Sequence, residues 1–211
     1  MSIDAKTLLV LIHEQFSRIP YPGDDHIVLD NTREHIECEE IRRTLVGHHW
    51  CEVSFEQLDQ LHSALFFLSP EGYRFYLPAF MFYSVADFER ADVIPDEVIQ
   101  TLTFPSKLDI SRIEEFSARM KNNNIIMDDE WNELVQMLGN SYKDGSLERL
   151  FLDRISGFDI GQRQVIRKFL EYIGDVYRDE YPNQEPQIAI NRFWYQFDQK
   201  GEKSHIEPGV P

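Results

Sequence analysis

The sequence predicts an all-α fold, a single multihelical domain built around a central, aromatic-rich, proline-kinked helix. Three observations lead there. Apolar residues recur at helical spacing through most of the chain, strand-like alternation is nearly missing, and the stretch LSPEGYRFYLPAFMFYS (68–84) is apolar on two sides. A chain of 211 residues with 42% hydrophobic and 13% aromatic content can bury a sizeable core. The domain is expected over residues 1–198. The remainder, 199–211, lacks an apolar period and is expected to be a disordered tail.

The elements follow in order. Leu8, Leu9, Ile12, Phe16 and Ile19 share one helical face, and Pro20 with Pro22-Gly23 closes that helix. The segment YPGDDHIVLDNT reads as a loop with a short extended piece at Ile27 to Leu29. A second helix is expected over Arg33 to Val46, with Ile36, Ile41 and Leu45 inward and Gly47 just past its end. Ser54 and Gln57 form a capping box for a third, whose inner stripe is Phe55, Leu58, Leu61, Leu65 and Leu68.

Ser69-Pro70-Glu71 opens the central helix: a cap hydroxyl, a proline at the first position and an acid in the first turn. On a wheel of about 100° per residue, Tyr73, Tyr76, Leu77, Phe80 and Tyr83 gather on one face, with Phe75 and Phe82 opposite. Pro78 removes the amide that would bond the Arg74 carbonyl, so a kink or break is expected near Gly72 to Leu77. The chain then reads as irregular from Asp92 to Lys107, with at most a turn of helix at Asp96 to Gln100.

Further helices are expected at Ser111 to Lys121 (Ile113, Phe116, Met120) and at Asp129 to Leu138 (Trp131, Leu134, Val135, Leu138), the latter stopped by Gly139-Asn140. A short one follows at Ser146 to Ile155. Asp159 and Gln162 box a longer one through Val176, with Val165, Ile166, Phe169, Leu170 and Ile173 inside. A last helix starts near Pro186 and docks through Ile190, Phe193, Trp194 and Phe197. A domain boundary near Asn140 to Ser146 would leave flanking helices too short for separate cores.

Charge excludes some function classes. Against 37 acidic residues stand 21 basic ones, a net −16. That field repels phosphate backbones and anionic lipid, so neither nucleic acid nor a membrane is an expected partner, whereas a basic protein is compatible with it. No stretch reaches about 18 uncharged apolar residues. The N-terminus lacks the basic start and cleavage site of a signal peptide, and two cysteines make no disulfide framework. The expected location is the cytoplasm, with reduced thiols. Oligomeric state is not readable.

Three constellations could carry chemistry. His35, Cys38, His49 and Cys51, with His48, are of the types zinc prefers. The spacing argues against it: His49 and Cys51 alternate around Trp50, and no CxxC knuckle exists. The same atoms could form a Cys–His nucleophile pair, but the neighbours Glu37, Glu39, Glu40 and Glu52 raise rather than lower a thiol pKa. The alternative to both is a buried cysteine, a second beside a tryptophan, and exposed histidines.

The loop Tyr21-Pro22-Gly23-Asp24-Asp25-His26, with Asp30, offers carboxylates, although Pro-Gly-Asp-Asp is also ordinary turn chemistry. Finally, Arg74 is the only lysine or arginine between Arg43 and Arg90, and it lies in the most apolar helix. A buried arginine requires a carboxylate or an anionic ligand. An ion pair, to one of the loop aspartates for example, competes with a ligand site formed by Asp24, Asp25, Glu71, Tyr73, Arg74 and Tyr76. No GxGxxG, P-loop, HExxH or GxSxG is present, and no cofactor is implied.

YPGDDHIV, the Gly47-x2-Trp50 pattern in LVGHHWCEV, LHSALFFLSPEGYRFYLPAFMFYS with its long core FLSPEGYRFYLPAF, and QRQVIRKFLEYI together resemble an uncharacterised bacterial family, domain of unknown function 6714. The resemblance spans about residues 10 to 178. It implies a small helical bacterial protein and brings no activity, cofactor or catalytic residue. Two function classes therefore stand: a non-enzymatic, immunity- or inhibitor-like protein that covers a basic partner, and a small enzyme or ligand-binding protein with its site between the PGDD loop and the Ser69 helix.

Overall fold

The computed structural model describes residues 3–61, 63–122 and 129–197. Twelve α-helices follow one another among them: α1 (Ala5–Phe16), α2 (Ile36–Leu45), α3 (Phe55–Asp59), α4 (Ala64–Phe67), α5 (Pro70–Ala86), α6 (Phe88–Ala91), α7 (Ile94–Thr101), α8 (Lys107–Asn122), α9 (Asp129–Lys143), α10 (Ser146–Ser156), α11 (Ile160–Val176) and α12 (Glu185–Arg192). Short 3₁₀ turns sit at Asp24–His26, Trp50–Glu52, Arg178–Glu180 and Trp194–Phe197. The fold is all-α, as its sequence predicts. The proposed tail, 199–211, lies outside the described residues.

α5 is the centre. Its side chains from Tyr73 to Met81, Arg74 excepted, are buried, which is what an apolar surface on two sides demands. Around it pack α1, α10, α7, α6 and the Trp50–Glu52 turn, while α11 lies on the far side of α1 and α12 joins α11 to α7. The buried apolar residues form one continuous cluster from Leu8 to Phe197. Ser69 caps the helix by accepting from the Gly72 amide (2.9 Å), and Pro70 and Glu71 take the places the sequence assigns them. The helix remains helical on both sides of Pro78, so a break there does not occur.

The extended piece at 27–29 pairs with the entry to α5. Ser69 N–H donates to the Ile27 carbonyl and Leu29 N–H to the Phe67 carbonyl, which makes an isolated antiparallel bridge between Val28 and Leu68. This brings the Ile27 carbonyl against Gly72. A Cβ there would stand 2.0 Å from that oxygen, so only glycine fits.

Several boundaries differ from expectation, each for a physical reason. The third helix is broken: Ser63 takes φ +62°, separating α3 from α4, although Phe55, Leu58, Leu61, Leu65 and Leu68 are all buried as the stripe predicts. Ile36 is not inward but 79% exposed, because α2 begins at it and its inner face is Cys38, Ile41 and Leu45. The region from Asp92 to Lys107 holds α7, whose inner face is Ile94, Glu97, Val98 and Thr101.

Gly139-Asn140 does not stop α9, which runs to Lys143. The helical Gly139 keeps an ordinary backbone, and it is Gly145, at φ +70°, that turns the chain. Phe116, expected inward, is 42% exposed on α8. The side chains of Trp131 and Leu134 lie outside the described set. The last helix is in two parts, α12 and the Trp194–Phe197 turn, and it docks: the buried Trp194 donates from Nε1 to the Leu102 carbonyl at 2.7 Å.

Candidate functional site

The predicted polar residues fall in three places rather than one. At the first, the PGDD loop meets the C-terminus of α2 and α5. Gly23 at φ +91° turns the chain into the Asp24–His26 turn. Tyr21 hydroxyl donates to Asp24 Oδ1 (2.7 Å) and accepts from the Gly47 amide (3.0 Å), while Gly47 holds φ +75°. Tyr76 hydroxyl donates to the Leu45 carbonyl (2.6 Å), with the His48 carbonyl at 3.1 Å. Burial pushes the Tyr76 hydroxyl well above the ordinary tyrosine value, and the nearby Tyr21 and Asp24 add to the rise. Burial also raises Tyr21, with Asp24 contributing. Asp25 is exposed, and its carbonyl accepts from Asn31.

At the second place lies Arg74. Its NH1 donates to the Asp153 carbonyl (2.8 Å), and NH2 reaches Glu71 Oε1 at 3.3 Å. The loop aspartates are not its partners. It clasps the C-terminal turn of α10, where carbonyls lack intrahelical donors and a cation complements the dipole. Arg163 from α11 donates to the carbonyls of Ile155 and Ser156 on the same turn. Gly157 leaves room for this, since a Cβ there would sit 2.5 Å from Arg74 Nε.

The third place is the buried side of α5 at Tyr73. Tyr73 is fully buried and donates to Thr101 Oγ1 at 3.1 Å; burial pushes its hydroxyl up to about 12. Over its ring, 4.9 Å from the centroid, stands the guanidinium of Arg154, which donates to the carbonyls of Phe66 (2.8 Å) and Leu68 (3.0 Å). Arg154 is only 5% exposed. Burial lowers its pKa from the ordinary arginine value. The buried arginine that needs partners is therefore Arg154, while Arg74 is only partly covered. A signal was there: Phe151, Arg154, Ile155 and Phe158 form one helical stripe with an arginine in it.

The His/Cys set divides as well. His35 caps α2, its Nδ1 3.5 Å from the Cys38 amide, and Cys38 is buried with its thiol pKa raised by that burial. His49 caps the Trp50–Glu52 turn, and its Nδ1 stands 3.0 Å from Cys51 Sγ. Among the described residues no three His, Cys, Asp or Glu side chains converge as a metal ion would require. A further ionic cluster had no sequence signal. Asp109 of α8 takes a bidentate pair from Arg192 of α12 (2.7 and 2.8 Å) and accepts from Tyr142 of α9 at 3.1 Å.

Residues 25–127 match a family of unknown function, DUF6714. Over that segment, just under half of its length, the chain is similar to this family. No curated protein and no solved structure matches the chain. The DUF6714 segment is shorter than the 10 to 178 span expected from resemblance. It takes in GHHW and FLSPEGYRFYLPAF and stops before QRQVIRKFLEYI. Tyr73, Arg74 and Tyr76 therefore lie inside the DUF6714 segment, while Arg154, Arg163 and Arg192 lie beyond it. No described helix is long and apolar enough to cross a membrane.

Proposed function

We propose that this protein works without catalysis, by covering a basic partner protein in the manner of an immunity protein or inhibitor. The observation that carries this is the surface made by the 24–35 loop and the start of α2. Between Asp24 and Glu40 the chain has seven acidic residues and one arginine. Amid them Ile36 is 79% and Leu29 48% exposed. Phe67 ties the two segments together: the Leu29 amide bonds to its carbonyl, and the ring of His35 lies tilted against its ring at 5.3 Å. Apolar anchors inside a charged rim are the anatomy of a protein interface, and an unbalanced negative rim favours a positive partner.

The residues of the competing ligand-site reading support a structural role. Tyr73 and Tyr76 hydroxyls are bonded to Thr101 and to the Leu45 carbonyl, and Arg74 to Asp153 and Glu71. The test is affinity capture from the native host, with the wild-type chain beside an Ile36→Asp, Glu34→Lys, Glu37→Lys variant. A basic protein should be retained by the wild type, released by moderate salt, and lost with the variant. Equal capture by both chains, or turnover of a substrate in a broad screen with no specific partner, would sink the proposal.

A further inference from the structure

The thiol of Cys51 is exposed to solvent beside an imidazole. Its Sγ lies 3.0 Å from His49 Nδ1. The Cys51 amide also points at that nitrogen, at 3.4 Å, a geometry in which Nδ1 accepts. The ring is held in place, edge-on to Phe75 at 5.2 Å and tilted on Trp50 at 5.8 Å. Trp50 is buried and tied by its Nε1 to the Phe16 carbonyl at 3.2 Å. A nucleophile and a base within bonding reach, with the base fixed by its surroundings, is the arrangement that activates a thiol. Cys38, the other cysteine, is buried away from solvent. Glu52, whose carboxylate accepts from the His49 amide at 2.9 Å, makes the approach to this pair negative and opposes a standing thiolate. The activation therefore comes from proton transfer to His49 as the sulfur attacks.

We propose that Cys51 is a site of thiol–disulfide exchange, with His49 as its base, selective for neutral or cationic low-molecular-weight disulfides. His49 Nδ1 takes the thiol proton as the Cys51 sulfur attacks one sulfur of R–S–S–R. The S–S bond breaks, and the departing R–S⁻ takes the proton back from His49. One thiol and one disulfide thus give a mixed disulfide on Cys51 and one R–SH, with no other oxidant needed. The carboxylate of Glu52 and the net −16 of the chain repel an anionic disulfide from the same sulfur.

The experiment incubates the folded full-length chain with cystamine (cationic), hydroxyethyl disulfide (neutral) and glutathione disulfide (anionic), following adducts by intact mass and peptide mapping. One adduct should form on Cys51, about tenfold faster with the first two reagents, and faster in the folded than in the urea-unfolded chain. His49→Asn keeps an acceptor for the Cys51 amide but cannot take the proton, and should slow the folded reaction by about tenfold or more. Cys51→Ser should abolish it. An unchanged rate in His49→Asn, a folded chain no faster than the unfolded one, or a preference for glutathione disulfide would each overturn the proposal. The folded-to-unfolded ratio needs no variant, so it decides even if His49→Asn disturbs the turn.

Discussion

Glu97 and Arg154 grip opposite ends of the same single turn of helix. The Glu97 carboxylate accepts from the Ser63 amide at the N-terminus of α4, and Arg154 donates to the Phe66 and Leu68 carbonyls at its C-terminus. The signs match the helix dipole at both ends. A four-residue helix cannot hold itself in water, so these two buried side chains, from α7 and α10, define it.

Arg154→Met should therefore destabilise the protein by about 2–4 kcal/mol, since it leaves two buried carbonyls without donors. Glu97→Gln, which keeps an acceptor for Ser63, should cost less than Glu97→Leu. Urea unfolding followed by tryptophan fluorescence measures both. An Arg154→Met midpoint equal to wild type would refute the assignment.

Two glycine-to-alanine changes should have opposite signs. Gly72→Ala sets a Cβ against the Ile27 carbonyl, which is backbone and cannot rotate away. A loss of about 2 kcal/mol or more is expected, as in other overpacked sites. Gly139→Ala meets nothing within 4 Å on α9 and should gain up to about 1 kcal/mol from helix propensity. Thermal melts of the two variants check the contrast.

Tyr76→Phe should lower stability by about 1–2 kcal/mol, because it removes the buried hydroxyl from the Leu45 carbonyl while keeping the ring. Tyr142→Phe, whose hydroxyl meets the partly exposed Asp109, should cost less. Denaturant midpoints of the pair decide the order.

Acid should loosen the junction of α8, α9 and α12. Burial alone would raise the Asp109 carboxyl, but Arg192, the Ser106 amide and Tyr142 hold it below its ordinary value of 3.8 on balance. A depressed folded-state pKa gives stability that is complete above the unfolded value and is lost as pH falls through the folded one. The stability difference between wild type and Asp109→Asn should thus be constant from pH 7 to about 5 and shrink below about pH 4. Chemical denaturation at fixed pH values reads it directly.

What was legible in the sequence was local. The boxes Ser54–Gln57 and Asp159–Gln162 and the Ser69-Pro70 entry are made by residues three apart, and each stands where its pattern puts it. The break at Ser63 was not legible, and the carboxylate that holds its amide lies 34 residues downstream. Ile36 was misplaced for a readable reason: at about 100° per residue it lies roughly opposite Leu45, outside the inner face that Cys38, Ile41 and Leu45 make. The partners of the polar residues were hidden in the same way as the Ser63 break. Arg74 was conspicuous as a lone cation, yet beside Glu71 its shorter bond goes to a backbone carbonyl 79 residues away, which no side-chain pattern records. The DUF6714 segment was recognisable from its aromatic string, while its extent was not.

The central position of α5 sets a limit on how the chain can be divided. Its neighbours α1 and α10 both lie outside residues 25–127, and so do the guanidinium over Tyr73 and the Trp194 indole on Leu102. An excised family segment would present two stripped flanks of its most aromatic helix to water, and α4 would lose the cation at its end. The matched segment leaves out α1 and α10, both of which cover α5 in the whole chain.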